Sequence, residues 1–120
     1  MIKISVDEAY ALDVLAISLV KSRKAPSIAA YKNYFDFAIE IKSQISLDKF
    51  SEIIDSPEFD ALVDANDKVF DGVDLAKKDG IPASALDSLN YQRFLCKKKI
   101  QEKFFNGEMS ERKIGYETLV

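Results

Sequence analysis

Histidine is absent from all 120 residues, and cysteine occurs once, as Cys96. The first absence removes Ser-His-Asp and Cys-His catalysis, histidine-ligated zinc and imidazole acid–base chemistry together. The second removes an internal disulfide and a thiolate zinc site, and makes a reducing compartment the natural setting. Long apolar runs are missing as well. The most apolar stretch, "AYALDVLAISLV" over 9–20, is 12 residues long and carries Asp13. It is too short and too polar at its centre to span a bilayer, and it suits a buried core helix. The opening "MIKISVDEAY" has no basic region leading into an apolar run and a small-residue cleavage site, so no signal peptide is expected. A soluble cytoplasmic chain that does not enter membranes is the expectation.

What is present points to one globular domain. The 48% hydrophobic content is ordinary for a folded chain, and 120 residues can bury a core without disulfides or a structural metal. The net charge of −3 is uneven: about +2 over 1–35, about −8 over 36–74 and about +3 over 75–120. An acidic chain with an acidic middle makes a poor ligand for phosphate backbones, which are held mainly by clustered Lys and Arg. The short run Lys97-Lys98-Lys99 spreads over different sides of a helix. Nucleic acid is therefore not expected as a partner.

Three prolines and four glycines leave little punctuation, and it falls where helices should begin and end. Ser5-Val6-Asp7-Glu8 reads as a capping box opening a helix over 6–23, which the basic "KSRKAPS" and Pro26 should stop. Ser27 can cap a second helix with apolar positions Ile28, Tyr31, Phe35, Ala38, Ile39 and Ile45. "SLDKFSEII" has the length of a two-turn helix. Ser56-Pro57 restarts the chain with a cap followed by proline at the first helical position, and "KKDG" should end that third long helix with Gly80 as a left-handed cap. A fourth runs from Ser84, with Asp87 three residues on, to Phe105 before Asn106-Gly107. "MIKISV" alternates but cannot build a sheet alone. The expected fold is all-α: a single-domain bundle of four main helices with a short extra helix over 1–107, and a marginal C-terminal tail over 108–120.

Three polar features stand out against this frame. "DALVDANDKVFDGVD" places Asp60, Asp64, Asp67, Asp71 and Asp74 on one side of the third long helix, opposite Leu62, Ala65, Val69, Val73 and Ala76, with Asn66 among the apolar set. The stripe is either a solvated face or a site for a cation, ligand or basic partner. Aspartate is a mediocre helix former, and like charges at i,i+4 cost a few tenths of a kcal/mol per pair. In the fourth long helix, Asn90, Arg93, Lys97 and Gln101 run down the apolar side made by Leu86, Leu89, Phe94, Cys96, Ile100, Phe104 and Phe105. Either their charged heads reach water at the bundle edge, or they form a row of donors suited to phosphate or carboxylate. Asp13, in the most apolar helix, shares a face with Ile17 and Lys21. It needs an internal cation, Arg93 or Lys97, or else a wet cavity.

The pieces "DVLAISLVK" (13–21), "NDKVFDGVD" (66–74) and "NYQRFLCKKKI" (90–100) resemble a family of small helical proteins of unassigned activity. Its members occur alone or beside sugar-transferring enzymes of surface-polysaccharide synthesis. The match covers about a quarter of the chain, on an Asp-to-Lys aliphatic run, an Asn followed by an aromatic and acids, and Asn, Arg and Lys at the same spacing. Tyr10 stands where the family has Glu, and Val73 where it has a second acid. The resemblance implies no activity. It marks Asp13, Lys21, Asn66, Asp71, Asp74, Asn90, Arg93 and Lys97, residues that helical position also singles out.

Two functions suit these features. One is a non-catalytic binding or accessory module whose polar cluster, shared by the first, third and fourth long helices, either fixes helix register or holds an anionic small molecule with Asp13, Lys21, Asn66, Asn90, Arg93 and Lys97. There the acidic stripe, with Asn66, Asp71 and Asp74 turned to the fourth long helix, meets a protein partner. The other is a Mg²⁺-dependent nucleotide or nucleotide-sugar hydrolase with Asp67, Asp71 and Asp74 as metal ligands and Arg93 and Lys97 on phosphate. That second function lacks the paired glutamates expected on a neighbouring helix, for which Asp36 and Glu40 are the nearest substitute. Phe35, Phe37, Phe104 and Phe105 exceed the aromatic surface that short helices need, which leaves room for a homodimer.

Overall fold

Serine side chains start three of the five helices in the computed structural model, which describes residues 1–2, 4–78 and 80–109. Ser27 Oγ accepts from the Ala30 amide at 3.0 Å, Ser46 Oγ from Lys49 at 3.1 Å and Ser56 Oγ from Phe59 at 3.1 Å. Each satisfies an amide that the first turn leaves without a helical partner. They open α2 (Ile28–Lys42), α3 (Leu47–Ile54) and α4 (Pro57–Lys77), with Pro57 at the first helical position. The remaining two are α1 (Glu8–Lys24) and α5 (Ala83–Phe105). The fold is an all-α bundle of five helices, α3 being the short one. Among the described residues there is no strand, and no helix is long and apolar enough to cross a membrane.

Helix boundaries depart from the sequence pattern where the cap is not local. The expected Ser5–Glu8 box does not form: Asp7 stands at the N-cap of α1 with no side-chain capping bond. The cap comes from α5 instead. Gln101 Oε1 accepts from the Ala9 amide at 2.9 Å, and Gln101 Nε2 donates to Glu8 Oε2 at 2.8 Å. Pro82, not Ser84, occupies the N-cap of α5. Gly80 does not take up the left-handed conformation. Lys78 ends α4, and the Gly80 amide donates to the Leu75 carbonyl at 2.6 Å. The left-handed cap lies at the end of α5, where Asn106 has φ 51° and ψ 34°, a conformation that asparagine tolerates better than most residues. Residues 110–120, most of the tail expected over 108–120, lie outside the described residues.

α1 is the central helix, packed against α2, α4 and α5, as its apolar character requires. Its Ala9, Leu12, Leu15 and Ala16 sit fully inside with Ile53, Leu62 and Ile100, flanked by Phe50, Phe59 and Phe104. Burying each large aliphatic side chain contributes roughly 1.5–3 kcal/mol. α4 and α5 form the most extensive pair and come close at Gly72, where an added Cβ would stand 2.7 Å from Leu89 Cδ1. Phe104 is buried and Phe105 partly so, whereas Phe35 and Phe37 are exposed. Of the four phenylalanines counted as surplus surface, only the α2 pair is on the surface.

Candidate functional site

Where α1, α4 and α5 meet, four side chains form a polar string through the core. Asn66 Nδ2 donates to Asp13 Oδ1 at 2.8 Å and to the Leu62 carbonyl of its own helix at 3.1 Å. Lys97 Nζ lies 3.8 Å from Asp13 Oδ2 and 5.6 Å from the Tyr10 ring centroid. Arg93 Nη1 donates to Asn66 Oδ1 at 3.3 Å. Asp13 is 4% exposed and Lys97 2%, so Lys97 does not reach for water at the bundle edge. The internal counter-charge for Asp13 is Lys97. Arg93 is joined to it only through the Asn66 amide.

The other two positions expected in this cluster stand apart. Asn90 is half-buried and donates to the Leu86 carbonyl of its own helix at 3.2 Å. Lys21 is exposed and lies on the rim of a cleft beside the string. That cleft has a volume of about 430 Å³. It is walled by Ile17, Val20, Val69, Phe70 and Val73, with Lys21, Lys77, Arg93, Asn66 and Asp74 around them. It meets a second groove of about 590 Å³ over α1 and α2, with which it shares Ile17, Lys21 and Phe70. Val73 contributes apolar wall. Lys77 was not singled out in the sequence; its place in the last turn of α4, one turn beyond Val73, was the available signal.

The aspartate stripe does not turn as a whole to α5. Lys24, the last residue of α1, makes ion pairs with both Asp67 and Asp71, the latter at 2.6 Å. These two carboxylates hold the Lys24 ammonium pKa above its ordinary 10.5. Asp64 pairs with Lys68 and Asp74 with Lys78, each at 3.0 Å along α4. Asp67 and Asp71 therefore converge on Lys24 while Asp74 turns to Lys78, and among the described residues no group of three or more His, Cys, Asp or Glu side chains is placed to share a metal ion. Aspartate acidity at α4 meets the basic end of α1, where Lys24 also complements the partial negative charge of that helix terminus.

Two further groups lie away from the cleft. Lys103 holds the Glu58 carboxyl below its usual value of 4.5 by a short hydrogen bond across α4 and α5. Burial pushes the Cys96 thiol up from 9.0, and its Sγ lies 3.8 Å from the Ala61 carbonyl, to which it donates.

The chain matches no protein-family model, no curated protein and no solved structure. Its site is therefore read from geometry alone.

Proposed function

We propose that this chain is a non-catalytic binding module whose α1–α4–α5 cleft holds an anionic small molecule with an apolar portion. The observation that carries this reading is the charge of the cleft wall. Lys21, Lys77 and Arg93 stand around an apolar floor with one carboxylate, Asp74, which is already paired with Lys78. Arg93 is anchored by Asn66 through one amine, and its planar fork suits carboxylate or phosphate. Behind the cleft lining, the buried Asp13–Lys97 pair supports the site through Asn66 by fixing the register of the three helices. The resemblance to the polysaccharide-associated family belongs to this proposal and adds no activity to it.

Thermal melting with inorganic phosphate, nucleotides, nucleotide sugars and aliphatic carboxylates, each with and without Mg²⁺ or Mn²⁺, tests the reading. A ligand at a hundredfold its Kd adds about 2.7 kcal/mol of stability, a shift of several degrees. Arg93→Met should abolish that shift while the free protein loses about 1–3 kcal/mol, because the Oδ1 of the buried Asn66 loses its donor. No shift with any anion would overturn the proposal. A nucleotide shift that requires Mg²⁺, accompanied by phosphate release, would instead restore the hydrolase.

A further inference from the structure

Along α2 the sequence puts large apolar residues at 28, 31, 35 and 39, with Lys42 one turn further. At 100° per residue these positions fall within about 80° of arc, a seam of the three-and-four spacing by which helices pair. The fold leaves that seam open. Ile28 is 90% exposed, Tyr31 49%, Phe35 60% and Ile39 64%, and Ala38 is the one buried residue of the helix. α2 is held to the rest of the molecule by α1 and more lightly by α3, through the neighbouring strip that carries Tyr34, Ala38 and Ile41. With aromatic side chains burying roughly 150–250 Å² each, the seam offers on the order of 500 Å² in one contiguous patch. That is towards the upper end of the largest apolar patch a typical monomer exposes, roughly 300–600 Å², and such patches are often functional.

We infer that the occupant of this seam is a second copy of the same chain, its α2 lying antiparallel to the first about a two-fold axis at Phe35. Two observations favour a copy over a different protein. The seam is self-complementary when reversed: Phe35 meets Phe35 and Tyr31 meets Ile39, as a two-fold contact requires. The flanking charges complement each other in the same arrangement. Lys32 and Asp36 lie one turn apart on the same flank, ion-paired at 2.6 Å within the helix. Reversal about Phe35 brings the two Asp36 carboxylates onto one edge two residues out of register, each flanked at the same offset by Lys32 of the other copy, so two unlike pairs outweigh the one like pair. Two such patches bury about 1,000 Å² in total, the size of a weak, transient interface, and a concentration-dependent dimer follows. This interface lies on α2, apart from the cleft walled by α1, α4 and α5, and stands whether or not that cleft binds an anion.

Sedimentation equilibrium of the full chain from 5 to 500 μM should show a mass rising from 13.5 kDa towards twice that value. Phe35→Glu, which sets two like charges face to face on the axis, should stay at the monomer mass with its helical circular dichroism intact. Lys32→Asp and Asp36→Lys should each weaken the dimer at low salt, and the double exchange should restore it. Direction is read by oxidation in a Cys96→Ser background. Tyr31→Cys mixed with Ile39→Cys should cross-link the two variants to each other, and neither should cross-link to itself. A wild type that stays monomeric at 500 μM overturns the proposal, whether the chain's own terminus or a different protein then covers the seam. So does a Phe35→Glu dimer, or self-linking of Tyr31→Cys, which would mean a parallel pair.

Discussion

Asn66 of α4 donates to Asp13 of α1 across 2.8 Å in the core, and the other carboxylate oxygen of Asp13 lies 3.8 Å from the buried Lys97 ammonium of α5. The carboxylate thus ties three helices at one depth. A buried ion pair is weak support for stability as such, because desolvating both charges offsets most of their attraction; breaking one half is what costs. Asp13→Leu should therefore destabilise the fold by about 3–5 kcal/mol, since it takes the carboxylate from a buried ammonium. Adding Lys97→Met should recover most of that loss and leave the double variant close to wild type, because two apolar residues of similar volume then fill the crossing. Urea titration of the two single variants and the double closes the cycle. Equal losses in the double and in Asp13→Leu would mean that packing, not charge, is what Asp13 supplies.

At the other end of α1, the Gln101 carboxamide caps the helix from across the bundle. Removing it orphans the buried Ala9 amide and frees the Glu8 carboxylate. Gln101→Ala should cost about 1–3 kcal/mol, the penalty of a buried donor left without an acceptor. Ser5→Ala should cost nothing measurable, because Ser5 is exposed and the first turn of α1 receives no side-chain cap from it. Chemical denaturation of both variants separates the two capping schemes, and a larger loss in Ser5→Ala would return the cap to its local position.

These two cases show which parts of the fold the chain discloses on inspection. Ser27, Ser46 and Ser56 act on amides three residues away, so their spacing alone reveals α2, α3 and α4. Gln101 acts on an amide 92 positions away, and no local pattern encodes it. The same division runs through the candidate site. Asp13, Asn66 and Lys97 were conspicuous as polar residues on apolar faces, and three such mismatches in one small bundle do meet. Arg93 joins them through Asn66. Lys21 shares a face with Asp13 at helical spacing, but two turns carry Lys21 out to the cleft rim, while Lys24 in the same last turn reaches the acidic stripe. Which lysine meets which acid depends on how α1 crosses α4, and periodicity within one helix does not contain that crossing.

Cys96 illustrates burial acting on reactivity. Its thiol donates to the Ala61 carbonyl, and desolvation raises its pKa above 9.0. The thiolate is the nucleophile, so less of it is present at neutral pH than in an unburied cysteine. Alkylation of the folded protein by iodoacetamide at pH 7.5 should run several-fold slower than in 6 M guanidinium chloride. The adduct mass read over time checks this. Equal rates in the two solvents would place the sulfur in full contact with water.

Lys24 gives the acidic stripe of α4 a pH signature. Asp67 and Asp71 stabilise its charged form, so its folded pKa lies above 10.5 while the unfolded chain returns it to 10.5. A raised folded pKa contributes stability that is fully present below the unfolded value and disappears as pH climbs through the folded one. The stability advantage of wild type over Lys24→Met should therefore be flat from neutral pH to about 10 and shrink above 10.5. Salt should reduce it, since Asp71 is open to solvent and the pair is screened. Glu58 has the opposite sign. Lys103 holds its carboxyl below 4.5, so its contribution is present above that value and is lost as pH falls through the lower folded pKa. Melting curves of wild type, Lys24→Met and Glu58→Gln across both limbs separate the two. A Lys24→Met difference that stays unchanged above pH 10.5 would mean that the charge of Lys24 contributes nothing to stability.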